Sequence, residues 1–147
     1  LSLQDDALII SQSGHLRIPS LPIASLSDSR SSTLTNQVLT SSNFYNKEWL
    51  NNGNHFNAST GRFTCPVDGI YRIYFRVTAT AGTNVRLQKD GGTINEAYAG
   101  ASASGARSVS SEAIVSCDAN DYLNIQVSSL SPQGGAQHCQ VTFQQLG

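Results

Sequence analysis

The stretch Ile70-Tyr71-Arg72-Ile73-Tyr74-Phe75-Arg76-Val77 constrains this chain more than any other part of it. It is dense in β-branched and aromatic residues, which suit a pleated, half-buried surface. On a strand side chains alternate, so Tyr71, Ile73, Phe75 and Val77 fall on one face and Arg72, Tyr74 and Arg76 on the other. The first face is expected in a core. The second is too aromatic and too charged for simple burial, and it is expected to meet a partner subunit.

Further strands follow. Asn84 to Lys89 puts Val85 and Leu87 on one face, and Asp90-Gly91-Gly92 supplies a tight turn. Thr93 to Ala99 returns, and Ser108 to Val115 is another strand. Asp118-Ala119-Asn120-Asp121 is a turn cluster. Tyr122 to Val127 groups Leu123, Ile125 and Val127. Pro132-Gln133-Gly134-Gly135 is a loop, and Cys139 to Leu146 closes the chain with Val141 and Phe143 inward. Short strands, turn signals and no amphipathic helix predict an all-β sandwich or barrel.

Every aromatic residue lies between Phe44 and Phe143. This predicts two parts: an extended N-terminal arm over residues 1–43 and a globular domain over 44–147. The arm is rich in Ser, and Pro19 and Pro22 favour extended backbone. Two readings are open for it, a disordered linker or an arm that pairs with another protein's surface or strand edge. Its apolar residues favour the second, because a purely entropic linker needs few of them. Leu8, Ile9, Ile10, Leu16, Ile18, Leu21 and Ile23 are the expected contacts. Neither Gly-X-Y triplets nor sustained heptads occur.

At 147 residues the chain has the size of one ordinary domain. A net charge of −1 offers no basic footprint for nucleic acid and no polybasic membrane patch. No apolar run approaches the roughly 20 residues of a bilayer span. No basic segment followed by an apolar one marks a signal peptide. A chain that starts at Leu1 and contains no Met is expected to be processed or part of a longer one. Charged residues are only 13%, yet 39% are hydrophobic, too many for a wholly disordered chain. Polarity comes from Ser, Thr, Asn, Gln and Gly, which suits an extracellular or virion surface. The three cysteines, Cys65, Cys117 and Cys139, cannot all pair within one chain, and no C-x-x-C spacing suggests zinc.

From Tyr45 to Phe75 the residues form a spaced series: Tyr45, Asn51, Phe56, Phe63, then Gly69-Ile70-Tyr71-Arg72-Ile73-Tyr74-Phe75. The series resembles the signature of the complement component 1q globular-head family, and its spacing matches at every step. Tyr45 and Ile73 stand where that family prefers Phe. Leu87-Gln88-Lys89-Asp90-Gly91 and Asp121 to Val127 extend the resemblance, while Val141-Thr142-Phe143 departs from the family's usual Ser-Gly-Phe. The resemblance implies an antiparallel jelly-roll β-sandwich of the tumour necrosis factor type, assembled as a homotrimer. Tyr45, Asn51, Phe56, Phe63, Gly69, Tyr71, Ile73 and Phe75 would specify the fold. Arg72, Tyr74 and Arg76 would lie at the trimer interface. Thr60-Gly61 is expected to turn the chain between Phe56 and Phe63, and Pro66-Val67-Asp68-Gly69 to make another turn, with Gly69 able to take positive φ.

Catalytic chemistry is not expected. His15 lies in the arm, no Gly-x-Ser-x-Gly elbow occurs, and His138 and Cys139 are strand neighbours that point to opposite faces. Asp90, Asp118 and Asp121 could suit calcium, as in some members of the resembled family. The 118–121 loop lacks the length and closing Glu of an EF-hand, and turn formation explains it better. No metal or cofactor is expected. Asn57-Ala58-Ser59 is an N-glycosylation acceptor that matters only on a secretory route.

The function expected is therefore non-enzymatic. The favoured reading is a trimeric virion structural protein, decorating a capsid and anchored by its arm to a capsid or other virion protein. The alternative is the receptor- or carbohydrate-binding head of a tail fibre or of a secreted lectin-like protein. A fibre head should follow heptads, and a secreted member collagen triplets or a leader.

Overall fold

The computed structural model describes residues 9–10, 16–17, 21–100 and 105–147. Two short strands, β1 (Ile9–Ile10) and β2 (Leu16–Arg17), pair antiparallel with each other. Then come β3 (Ile23–Ser27), β4 (Leu34–Val38), β5 (Lys47–Asn52), β6 (Phe56–Asn57), β7 (Arg62–Thr64), β8 (Gly69–Ala79) and β9 (Thr83–Lys89). The chain ends with β10 (Gly92–Ala99), β11 (Arg107–Cys117), β12 (Tyr122–Leu130), a 3-10 turn at Ala136–His138 and β13 (Cys139–Gln145).

These strands build an antiparallel jelly-roll sandwich. One sheet has five strands in the order β11-β8-β13-β3-β5. The other runs β10-β9-β12-β7-β6, with β4 also paired to β12. β8 carries the alternation seen in the sequence: Tyr71, Ile73, Phe75 and Val77 are fully buried. Leu123, Ile125 and Val127 of β12, with Val85 and Leu87 of β9, face them from the opposite sheet. Asp90 and Gly91 both take positive φ, the mirror-type hairpin turn that matches strand twist.

Aromatic rings fill the space between the sheets. Phe63 and Phe143 stack at 5.5 Å, and Phe56 stacks on Phe143 at 5.4 Å. Tyr45 meets Phe56 edge-on at 5.2 Å, and Phe44 joins Tyr45 to Phe75. Such pairs add about 0.5–1.5 kcal/mol each beyond their buried area. Asn51 serves this cluster by clamping backbone. Its Nδ2 donates to the Phe56 carbonyl at 2.9 Å, and its Oδ1 accepts from the Phe56 N–H at 3.1 Å. An aliphatic residue there would strand both backbone groups.

Two expectations need correction. The division at residue 43 does not hold, because β3 and β4 belong to the sandwich. Ala24 and Leu26 of β3 are buried, and the strand lies hydrogen-bonded between β13 and β5. Phe143 of β13 stands opposite Ala24, so partner strands supply the aromatic mass that this segment lacks. Asp28 is buried in an ion pair with Arg30 at 2.9 Å, and Arg30 Nη1 donates to the carbonyls of Ser41 and Ser42. Ile23 thus opens a sheet strand, and Leu21 accepts a hydrogen bond from Asn52 through its carbonyl. Neither is an arm contact. Ile9, Ile10 and Leu16 lie in the β1–β2 pair, whereas Leu8 and Ile18 lie outside the described residues.

Gly69 is the second correction. It does not take positive φ. A Cβ there would come 2.5 Å from the Gly147 carbonyl oxygen and 3.3 Å from the Gln145 amide. Close approach of the C-terminal backbone, not a turn, demands glycine. Gly61 does take positive φ, at 68°, between Phe56 and Phe63 as expected.

Candidate functional site

The outer face of the five-stranded sheet is the candidate site. Strand parity puts Ile70, Arg72, Tyr74 and Arg76 of β8 on it. Register places Ile114 opposite Arg72, Glu112 opposite Tyr74 and Ser116 opposite Ile70. On the other flank Gln140, Thr142 and Gln144 of β13 align with Arg76, Tyr74 and Arg72. Ser25 and Leu50 extend the same face towards β5.

The three residues expected at an interface do come together here, but its polar groups are already organised. Arg72 Nη2 pairs with Glu112 Oε2 at 2.7 Å, and its guanidinium lies 5.3 Å from the Tyr74 ring centroid. Arg72 Nε is buried without an acceptor among the described residues. Arg76 Nη2 donates to the Gln137 carbonyl at 3.3 Å. The Arg72–Glu112 pair is neutral and pinned along the sheet, so a partner would meet one uncompensated cation, Arg76, rather than two.

Sequence reasoning missed the apolar part of this face. Ile114 is 61% exposed and Ile70 42%. Trp49 is 66% exposed at the bulge of β5, its indole N–H donating to the Ser27 hydroxyl at 2.9 Å. A signal was present in β11: Ser108, Ser110, Glu112 and Ser116 share a parity with Ile114, an apolar residue in a polar row. The opposite sheet differs. Its outer surface holds a polar ladder in which Gln88 bonds Asn124 and Gln126, both at 3.0 Å, and Arg62 stacks on Tyr122. Its exposed large apolar residues, Ile94 and Tyr98, sit on the edge strand β10.

Among the described residues the groups that could carry chemistry do not assemble elsewhere. His55 packs edge-on against Phe63, and His138 sits in the 3-10 turn. Burial pushes the neighbouring Cys139 thiol up to about 12, so it stays protonated at neutral pH. Asp68, Asp90 and Asp121 cap turn amides: Ala119 N–H at 2.7 Å, Tyr122 N–H at 2.9 Å and Asp118 N–H at 2.8 Å. Lys89 pairs with Asp121 at 2.7 Å, which holds that carboxyl below its ordinary range. Among the described residues no group of three His, Cys, Asp or Glu could hold a metal, and no helix is long and apolar enough to cross a membrane. Asn57 is exposed, with its Oδ1 accepting from the Ser59 N–H and hydroxyl.

The sequence model of the C1q domain matches residues 25–144. The chain belongs to the C1q domain family. Its start at residue 25 agrees with the position of β3 in the sandwich. Among solved structures this C1q domain is similar to the globular domain of zebrafish complement 1qA protein. The TM-score is 0.64 at 21% identity, covering 83% of this chain and 93% of that one. It is also similar to murine APRIL at pH 5.0, with a TM-score of 0.64 at 13% identity over 86% and 99% of the two chains. Eiger TNF from S. frugiperda scores 0.63 at 12% identity over 87% and 94%. These likenesses show the fold. No curated protein sequence matches the chain.

Proposed function

We propose that this C1q domain is a non-enzymatic, homotrimeric head that assembles through the outer face of its five-stranded sheet. The observation that carries the reading is the exposure of Ile70 and Ile114 beside Tyr74 on a sheet face where Arg72 is already paired with Glu112. Ile70 and Ile114 are already partly buried, so covering what remains of each contributes about 1 kcal/mol per side chain. Three copies form a closed ring, which leaves no open edge of the interface. Sedimentation of the full chain at micromolar concentration should give three times the chain mass. Ile114→Glu should give folded monomers, and a wild-type monomer would sink the proposal.

Within that class we favour a virion surface role, with the segment before Leu21 attaching the head to a capsid or other virion protein. The low charge and the Ser- and Thr-rich composition support this, as does the apolar content of residues 1–20. Deletion of residues 1–20 should abolish attachment to particles and leave the head trimeric. If the truncated head still attaches at full occupancy, the alternative of an extracellular receptor- or carbohydrate-binding head takes its place.

A further inference from the structure

Cys65 and Cys117 are fully buried and carry free thiols. Cys65 directly follows β7 in one sheet, and Cys117 ends β11 in the other. The turn between Cys117 and Tyr122 folds back onto Cys65. The Cys65 N–H donates to the Asp121 carbonyl and the Asn120 N–H to the Cys65 carbonyl, both at 2.8 Å. These two backbone hydrogen bonds hold the turn that follows Cys117 against Cys65 across the sandwich, and each thiol raises or lowers the other's titration, as neighbouring groups do. Cys139 is out of reach. Along β8, Cys117 stands opposite Gly69 and Cys139 opposite Val77, a separation of eight residues, or about 25 Å of strand.

We propose that Cys65 and Cys117 are the site of an intrachain disulfide that staples the two sheets together when the chain folds in an oxidising compartment. The odd cysteine count then resolves into one pair and one buried single thiol. With a glutathione disulfide as oxidant, one cysteine thiolate attacks a glutathione sulfur and expels a glutathione thiolate. The second cysteine thiolate then attacks the mixed disulfide and expels the other glutathione. One Sγ–Sγ bond forms, the two electrons reduce glutathione disulfide to two thiols, and these take up both protons. Burial raises both cysteine thiols above their ordinary range and shields them, so the folded protein should exchange slowly. Closure therefore belongs to folding or to local opening of the turns.

The test refolds the full, reduced chain from denaturant into a buffer of reduced and oxidised glutathione. Free thiols are then alkylated under denaturing conditions, and the unreduced digest is mapped by mass. The expected product is one cross-linked peptide pair joining Cys65 to Cys117, two hydrogens lighter than the separate peptides, with Cys139 alkylated. Cys139→Ala should give the same cross-link. The oxidised protein should melt about 10 °C above the reduced one, and Cys117→Ala should show no such difference. Alkylation of all three cysteines, a stable glutathione adduct on either residue, or a cross-link through Cys139 would each overturn the proposal. Mapping of the wild-type chain decides the matter even if Cys117→Ala does not fold.

Discussion

Tyr45 shows how one atom can work against its own position. Its ring is held between Phe44 and Phe56, yet its hydroxyl is buried with no hydrogen-bond partner among the described residues. An unsatisfied buried hydroxyl costs about 1–3 kcal/mol. Tyr45→Phe should therefore raise stability by about 1 kcal/mol, measured as an upward shift of Tm. Burial also raises the phenol well above its ordinary value of 10.0. The folded state binds that proton more tightly than the unfolded state. The stabilisation is thus complete below pH 10 and is lost as pH climbs from there towards the raised folded value. Alkaline unfolding of the wild type should begin near pH 10 together with phenolate absorbance, and Tyr45→Phe should move that midpoint upward. Phe63 is the opposite case, a ring that touches Phe143, Tyr71 and His55. Phe63→Ala should cost about 3–5 kcal/mol in denaturant titration. An unchanged midpoint would mean that the ring is not packed as described.

Among the elements, β8 is legible from its side chains alone, because one face is uniformly apolar and the other is not. β3 and β4 are not. Their short apolar runs carry no aromatic residue, and what seats them is the backbone of β13 and β12. Gly69 makes the same point at a strand end. Its neighbours in sequence suggest a turn, but its constraint comes from Gly147, 78 positions away, whose carbonyl accepts from the Ile70 N–H at 2.6 Å. Gly69→Ala should push the C-terminal backbone off β8 and cost about 1–3 kcal/mol, with hydrogen exchange accelerating first at Ile70 and Leu146. Stability loss without local exchange at those amides would contradict this account.

Assembly belongs to the scale of the whole molecule. If three copies meet through the outer face of the five-stranded sheet, the Arg72–Glu112 ion pair becomes buried with the apolar residues around it. Removing one member would then leave a desolvated charge. Glu112→Ala should weaken trimerisation by roughly 10-fold or more while leaving the melting of the monomeric Ile114→Glu background within about 0.5 kcal/mol. Dissociation measured by sedimentation over a dilution series checks it. Equal effects on assembly and on monomer melting would make the pair a fold determinant instead.

By itself the sequence determined the all-β class, the strand and hairpin order from Gly69 onward, and the spaced aromatic series that packs the sandwich. These are local: alternation has a period of two, turns need particular residues, and large rings must be buried wherever the chain is long enough to cover them. The tertiary structure alone decided which strands lie side by side. It drew residues 23–43 into the sheets, turned Gly69 from a turn residue into a contact residue, and gathered Ile70, Ile114, Trp49 and Leu50 onto one surface. It also set Cys65 against Cys117. In each case the deciding partner is far away in sequence. Residue spacing carries no information about distance across a sandwich until the register of every intervening strand is fixed.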